Sequence, residues 1–228
     1  STGALAQMQV DSQGDVYVAY GPSQLLAKLD SEGNELFRRT IADGAAYALT
    51  IDSDDNVYVT GTFAGTADFG TTANGQTVSL SSSGSSRSDA FVAKYAPDGT
   101  ALWATRAGGP DASAIGQGIA VDNQGGLYVS GRFGESRSGA AEFGEGIELR
   151  VATYPGARDK NGNLKRNVSG YESYYFDAFV AKMDAEDGTF AWAQRAGGDG
   201  RDEARGLVVD DAGGIYVTGE YRSHAADF

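Results

Sequence analysis

The sequence predicts an all-β protein built from repeated, four-stranded antiparallel units. Two hairpin-forming motifs alternate along the 228 residues, and no stretch with helical periodicity is long enough to interrupt them. The 33 glycines amount to about twice the average usage. Hydrophobic residues at 41% and aromatic residues at 11% indicate a packed core, so we assign the glycines to tight turns.

The first motif reads apolar residue, Asp, four mostly turn-forming residues, then apolar-Tyr-Val. Its four copies are opened by Asp11, Asp52, Asp122 and Asp210. The pattern predicts a strand, a tight turn and a second strand, because an Asp carboxylate accepts backbone N–H bonds in a turn and glycine supplies positive φ. These four aspartates are therefore interpreted as structural repeat positions.

The second motif is another hairpin, found three times, whose turn ends in glycine and is followed four positions later by an aromatic residue. Those aromatic residues are Phe37, Trp103 and Trp192. We expect them to pack between adjacent units. The later copies also repeat an Asp five positions before a Lys, as Asp89 before Lys94 and Asp177 before Lys182. Positions five apart face opposite sides of a strand, so we do not expect the Asp and the Lys to pair with each other. Their recurrence favours a structural role, such as a strand-end hydrogen bond between units.

Alternation of the two hairpins makes one unit a four-stranded blade, and radial arrangement of such units is a β-propeller. A β-sandwich is the structural alternative. Four first hairpins and three second hairpins make about three and a half blades, an incomplete ring. The chain is interpreted as one region, 1–228, with repeats at roughly 4–45, 46–112, 113–201 and, in part, 202–228. Because folded proteins avoid unpaired strand edges, we expect the remainder of a larger polypeptide or another copy to complete the ring.

These motifs resemble the bacterial β-propeller repeat family, often called SBBP repeats. The family pattern runs Asp-Ala-Phe-Val-Ala-Lys, Gly, Trp, Gly-Gly, then Asp-x-x-Gly-x-x-Tyr-Val-x-Gly-x-Phe. It is matched almost throughout by 89–109 with 118–133, and by 177–198 with 206–221. The family's link motif, Ala-Asp-Phe-Gly, is matched at 67–70, 141–144 and 226–228, whereas the first repeat departs from the pattern at Ser23, Gln24 and Phe37. The resemblance implies an exported or surface-exposed bacterial protein and no particular reaction.

Composition excludes several chemistries. The absence of cysteine removes disulfides and thiolate sites, and the single histidine, His224, removes a multi-histidine metal centre. His224 is interpreted as an exposed link residue. A net charge of −13 argues against nucleic acid and against an anionic membrane surface, and no apolar stretch is long enough for a transmembrane helix. We therefore predict no catalytic residue. The family resemblance, and not the composition, implies an extracellular, cell-surface or periplasmic location.

The long link at 131–176 differs from the rest of the chain. It holds seven Lys/Arg and six Asp/Glu, a net charge of +1, which leaves −14 elsewhere. Tyrosine together with basic residues is typical of contact surfaces, although a decorated hairpin packed on its own blade is the alternative interpretation. The predicted binding residues are Tyr154, Arg158, Lys165, Arg166, Tyr171, Tyr174 and Tyr175.

Calcium is the candidate ligand, with no other cofactor predicted. Asp159, Asn161 and Asn163 place oxygen side chains at alternate positions, as a calcium loop does, although the later positions depart from the EF-hand pattern. A plain Asn-Gly turn explains the segment equally well.

Two functions remain open. The first is a non-enzymatic, extracytoplasmic scaffold that binds protein or polysaccharide, mainly through the long links. The alternative is a hydrolase or lyase acting on polysaccharide through carboxylates at the central channel. The first strands read 48–50 as Ala-Leu-Thr, 118–120 as Gly-Ile-Ala and 206–208 as Gly-Leu-Val, without acids, which disfavours the enzyme.

Overall fold

The protein is all-β in every part that the structure describes. The computed structural model describes residues 5–21, 23–84, 87–134, 139–151, 176–198, 200–223 and 226–227. Within these ranges there are strands but no helix, and all strand pairs are antiparallel. The predicted all-β fold of antiparallel sheets is thus confirmed. Closure into a ring and the number of blades stay predictions.

Three four-stranded meanders and one further hairpin follow each other along the chain. The first meander comprises β1 (Leu5–Val10), β2 (Val16–Tyr20), β3 (Gln24–Leu29) and β4 (Glu35–Thr40). The second comprises β5 (Gly44–Ile51), β6 (Val57–Phe63), β9 (Asp89–Tyr95) and β10 (Ala101–Gly108). The third comprises β11 (Ser113–Val121), β12 (Gly126–Gly134), β15 (Phe176–Asp184) and β16 (Phe190–Gly198). The final hairpin is β17 (Asp202–Val209) with β18 (Ile215–Tyr221).

The links between second and third strands also contain strands. They are β7 (Thr66–Thr71), β8 (Thr77–Ser81), β13 (Ala140–Phe143), β14 (Glu148–Arg150) and β19 (Ala226–Asp227). β13 leaves the third meander and pairs with β10 of the second, and β19 pairs with β16 of the third. Each of these two links therefore extends the sheet of the preceding meander.

The link phenylalanines anchor these crossings in the core. Phe69 is buried, and its ring centroid lies 6.0 Å from that of Phe63 and 5.1 Å from that of Phe91. Phe143 repeats the arrangement 4.9 Å from Phe179. The Ala-Asp-Phe-Gly motif thus stabilises the meander from which the link departs, because its aromatic ring packs on the phenylalanines of that meander's second and third strands.

The first strands lie side by side across the molecule. β5 contacts β1 on one side and β11 on the other, and β11 also contacts β17. One apolar cluster lies between the first and second meanders and another between the second and third. Sheets that pack face to face, with their first strands adjacent, have the neighbour relations expected of propeller blades.

A repeated bulge explains the glycine that follows the last three Tyr-Val strands. The pairing register shifts within the first strand of every unit, for example between Ala46 and Ala48. A Cβ at Gly61, on the facing strand, would lie 1.9 Å from the carbonyl oxygen of Ala45. The same overlap, at 1.9 Å and 1.8 Å, would arise at Gly131 and Gly219. At these three positions only glycine leaves room for the bulged strand, whereas in the first unit the residue paired at the shift is Tyr20.

Candidate functional site

The recurrent turn aspartates hold backbone N–H groups. Asp52 Oδ1 accepts bonds from the backbone N–H groups of Asp54 and Asn56, both at 2.9 Å, and Oδ2 accepts the Tyr58 hydroxyl at 2.9 Å. Burial alone would raise the pKa of Asp52, but these bonds hold it below its ordinary value. Asp122 and Asp210 repeat the arrangement, and Asp11 accepts the same two backbone bonds while pairing with Lys28 at 3.0 Å.

The recurrent aspartates that open the third strands lie buried inside their own sheet. Asp89 accepts the Ser83 backbone N–H at 2.8 Å and pairs with Arg106 on the adjacent strand at 2.9 Å. Asp177 pairs with Arg195 in the same way at 3.0 Å. These contacts are strand-end bonds that tie Asp89 to its own meander and link, and Asp177 to its own meander. In both cases the arginine stands on the hydrogen-bonded fourth strand, so these ion pairs form within one sheet.

The first and second sheets each also receive a turn of the next sheet on three of their side chains. These are a Tyr, a Lys and an aromatic residue, and we call them together the turn-docking site. In the first sheet, Tyr17 and Lys28 both donate to the Pro97 carbonyl of the second sheet, at 3.2 and 3.4 Å. Phe37 lies against Gly99, where a Cβ would approach the ring to 3.0 Å.

The second turn-docking site repeats the first. Lys94 donates to the Ala185 carbonyl at 3.0 Å, and Tyr58 approaches the same oxygen at 3.4 Å. Trp103 lies against Gly188, where a Cβ would come within 2.7 Å of the indole. The glycine that ends each outer turn is therefore required for the ring of the preceding sheet to seat on it. Trp192 occupies the corresponding place in the third sheet, beside Tyr128.

A cleft of about 360 Å³ lies where the first strands meet. The bulges place the extra residue of three first strands, Tyr47, Gln117 and Arg205, at this cleft, and Gln7 of β1 also lines it. Tyr47 is 40% exposed. The lining therefore offers a phenol ring, amide groups and a guanidinium, and its described residues include no carboxylate.

One carboxylate, Glu203, positions the polar groups behind this cleft. It pairs with Arg132 in a short contact, with Arg205 at 3.2 Å, and accepts a bond from the Gln117 amide at 3.3 Å. Burial alone would raise the pKa of Glu203, but the charge of Arg132 and these bonds hold it below its ordinary value. Glu203 stays ionised near neutrality and is engaged by cations, an arrangement that suits orientation of donors more than proton transfer.

The binding and metal residues of the long link fall outside the described residues. This holds for Tyr154, Arg158, Asp159, Asn161, Asn163, Lys165, Arg166, Tyr171, Tyr174 and Tyr175, and also for His224. Among the residues that are described, no group of three or more acidic or histidine side chains is placed to hold a metal ion. The described part also contains no helix that could cross a membrane.

The cleft residues Tyr47, Gln117 and Arg205 were not predicted as site residues. The signal available was a break in alternation, since Tyr47 stands between Ala46 and Ala48 in an otherwise regular strand. The role of the recurrent Tyr and Lys was missed too, because a repeat pattern shows recurrence but not the partner across the sheet interface.

Repeated antiparallel sheets with adjoining first strands and turn-docked faces define a β-propeller repeat protein. The family model described as Beta-propeller repeat (SBBP) matches residues 102–132 and 191–220. The chain thus carries SBBP repeats at two places, as the motifs indicated. Both matches run from the fourth strand of one unit through the first hairpin of the next.

Similarity to other proteins is more distant. An uncharacterized WD repeat-containing protein of Acanthamoeba polyphaga mimivirus is 27% identical over 184 residues, which is 79% of this chain but 12% of that relative. A virginiamycin B lyase from Staphylococcus aureus aligns at 10% identity and a TM-score of 0.29, covering 94% of this chain and 83% of that one. A protein of unknown function from Bacteroides caccae aligns at 14% identity and a TM-score of 0.28, covering 86% and 82%.

Proposed function

We propose that the protein is a non-enzymatic, extracytoplasmic β-propeller module that binds protein or polysaccharide at the bacterial cell surface. The observation that carries this proposal is the first-strand cleft, where Tyr47, Gln117 and Arg205 converge on a rigid sheet framework. Phenol faces, amides and guanidinium groups stack on sugar rings and bond hydroxyl or carboxylate groups of a polymer. The long link at 131–176 supplies a second contact surface.

The use of the recurrent carboxylates also supports a binding role. A glycoside hydrolase needs two carboxylates on either side of a substrate-sized gap. Here Asp52 and Asp122 are engaged by turn N–H groups, and Asp89 by a strand-end arginine. Glu203 lies behind the cleft, where it forms ion pairs with Arg132 and Arg205 and accepts a hydrogen bond from Gln117. The alternative, a polysaccharide hydrolase or lyase, is disfavoured by these engagements, and calcium remains a proposed ligand of the link.

A glycan array with and without calcium, run beside a hydrolysis screen, tests the proposal. We expect binding without product release, and Arg205→Ala should weaken binding by about tenfold because a charge-assisted bond is lost. Arg38→Ala is the matched control, since Arg38 is an exposed arginine on β4, outside both proposed surfaces, that pairs with Glu35 on its own strand. Release of sugar products by the purified protein would establish the enzyme instead.

The contribution of the long link is tested by replacing 152–175 with a short Gly-Ser turn. This replacement keeps β13 and β14, and so keeps the buried Phe143 in place. Loss of partner binding in a folded variant would show that the link makes the contact. Unchanged binding would show that the cleft makes it. Completion of the propeller by the remainder of a larger polypeptide, or by another copy, is part of the same proposal.

A further inference from the structure

The third sheet carries a turn-docking site that no described residue fills. Its members are Tyr128, Lys182 and Trp192. The Lys182 Nζ lies 5.1 Å from the Tyr128 ring centroid, compared with 4.9 and 5.0 Å in the first and second sites. The tyrosine and aromatic centroids lie 6.4 Å apart, compared with 6.2 and 6.1 Å. The unfilled site therefore has the geometry of the two filled ones.

The surroundings of this third site match as well. The second site lies between the turn at Asp52 and the turn at Asp122 of the next unit, and Ala185 and Glu186 of the docked hairpin line the same space. The third lies between the turn at Asp122 and the turn at Asp210, around a space of about 230 Å³. Lys28 and Lys94 donate to the Pro97 and Ala185 carbonyls, whereas Lys182 donates to no backbone carbonyl of the described chain.

The sheet face beside the third site is also uncovered. Val92 and Ala107 of the second sheet are each 3% exposed, and they belong to the apolar cluster that also contains Phe179 and Ala181 of β15. Their counterparts in the third sheet, Val180 and Ala196, are only partly buried. They border a mostly apolar groove of about 310 Å³ that β18 lines on its other side.

The outer edge of β18 completes this surface. In each of the three meanders the second strand pairs with a third strand, as β12 does with β15. β18 pairs with β17 only, within the part of the chain that the structure describes. The edge of β18 thus lies beside both the apolar groove and the third turn-docking site. This combination suits the addition of another strand to β18.

We propose that this surface binds a β-hairpin of the second-motif type. The first strand of the hairpin pairs antiparallel with β18 and places apolar side chains on Val180 and Ala196. Its turn presents a backbone carbonyl to Lys182 and a positive-φ glycine to the ring of Trp192. The inference deepens the ring-completing part of the proposed function, and it is independent of any ligand in the first-strand cleft.

The occupant is a free hairpin and not an intact second copy. β17 already contacts β11, β12 and β15 of the third sheet, and together with its partner strand β18 it fills the inner half of the position. A complete four-stranded sheet of another copy would overlap them. The lysine ammonium also selects the occupant, because a partly desolvated cation needs the carbonyl that a turn provides and an apolar strand alone lacks.

A synthetic peptide with the sequence of 177–192 is the probe, because this stretch contains the whole second motif. We expect it to bind the protein and to protect the amide hydrogens of β18 from exchange. A peptide with Val in place of its turn glycine is the matched control, and it should bind about tenfold more weakly because Trp192 has no room for the side chain.

On the protein side, Trp192→Ala should weaken binding of the peptide by about tenfold and Lys182→Met by about fivefold. Leu36→Ala, which truncates an exposed residue of β4, should leave it unchanged. Equal binding by wild type and both site variants, or no protection of β18, would overturn the proposal. A dimer of the protein that dissociates on Trp192→Ala would also overturn it, since the occupant would then be a second copy. Glycan binding in each variant reports on the proposed function separately.

Discussion

The second and third turn-docking sites are built from the same residue types, but only the second is covered. Trp103 seats on Gly188 and Lys94 bonds to Ala185, whereas the corresponding Trp192 and Lys182 meet no second-motif turn of the described chain. The distances within the two sites nevertheless agree to a few tenths of an ångström. The arrangement is therefore made inside each sheet, by strand register and local bonds, before any neighbour docks.

Truncation of the tryptophan should give the largest difference in stability between the two sites. Trp103→Ala leaves a void over Gly188 and exposes Tyr58, so we expect a loss of about 3 kcal/mol in the free energy of unfolding. Trp192→Ala removes fewer contacts and should cost less than about half as much. Urea unfolding of both variants measures the difference. Equal losses would mean that docking on Gly188 contributes little.

A methyl group on the turn glycine tests the docking from the other side. Gly188 has φ +76° and faces Trp103, while Gly33 has φ +88° and meets nothing within 4 Å. Gly33→Ala should cost about 1 kcal/mol, from left-handed backbone strain alone. Gly188→Ala adds displacement of the indole and should cost about 2 kcal/mol or more. Similar thermal shifts for the two variants would contradict the close contact.

The hairpins could be predicted from the sequence because their turns are encoded locally. The Asp that opens each turn and the glycine with positive φ recur at fixed spacing, and strands lie on either side of them. At 55 an aspartate takes the place of that glycine with φ 60°, a conformation that Asp tolerates. Strand existence and order therefore followed from residue types within a few positions of each other.

Contacts between repeats could not be predicted in the same way. The pairing of β13 with β10 joins two short segments from different units, and two to four residues carry no usable periodicity. The bulge that places Tyr47 at the cleft is a register shift of one residue, which depends on the facing Gly61. The repeat pattern relates Lys94 to Asp89 on its own strand, whereas Lys94 donates to the Ala185 carbonyl, 91 positions further along the chain.

Neutralising the lysine should affect the covered site alone. Lys94→Met removes a charge-assisted bond to the Ala185 carbonyl, and we expect a loss of about 1–2 kcal/mol at neutral pH. Lys182→Met breaks no such bond in the described chain and should stay within about 0.5 kcal/mol of wild type. Chemical denaturation of the two variants under identical salt checks the contrast, and a larger loss for Lys182→Met would reverse it.

Acidification should give the smallest difference between the two regions. Burial would raise the pKa of Asp52, yet its bonds from Asn56, Tyr58 and the backbone lower it, and Asp122 follows the same rule. A lowered folded pKa means that the unfolded chain binds protons first, so the stabilisation is complete above about pH 4 and is lost as the pH falls through the folded value.

Asp52→Asn should cost about 1 kcal/mol at pH 7 and flatten the acid limb of the stability curve. Asp122→Asn should flatten it less, because no second-motif turn among the described residues covers the neighbouring Tyr128. Unfolding midpoints measured from pH 6 to pH 2 test both, and an acid limb unchanged by Asp52→Asn would show that other carboxylates dominate it.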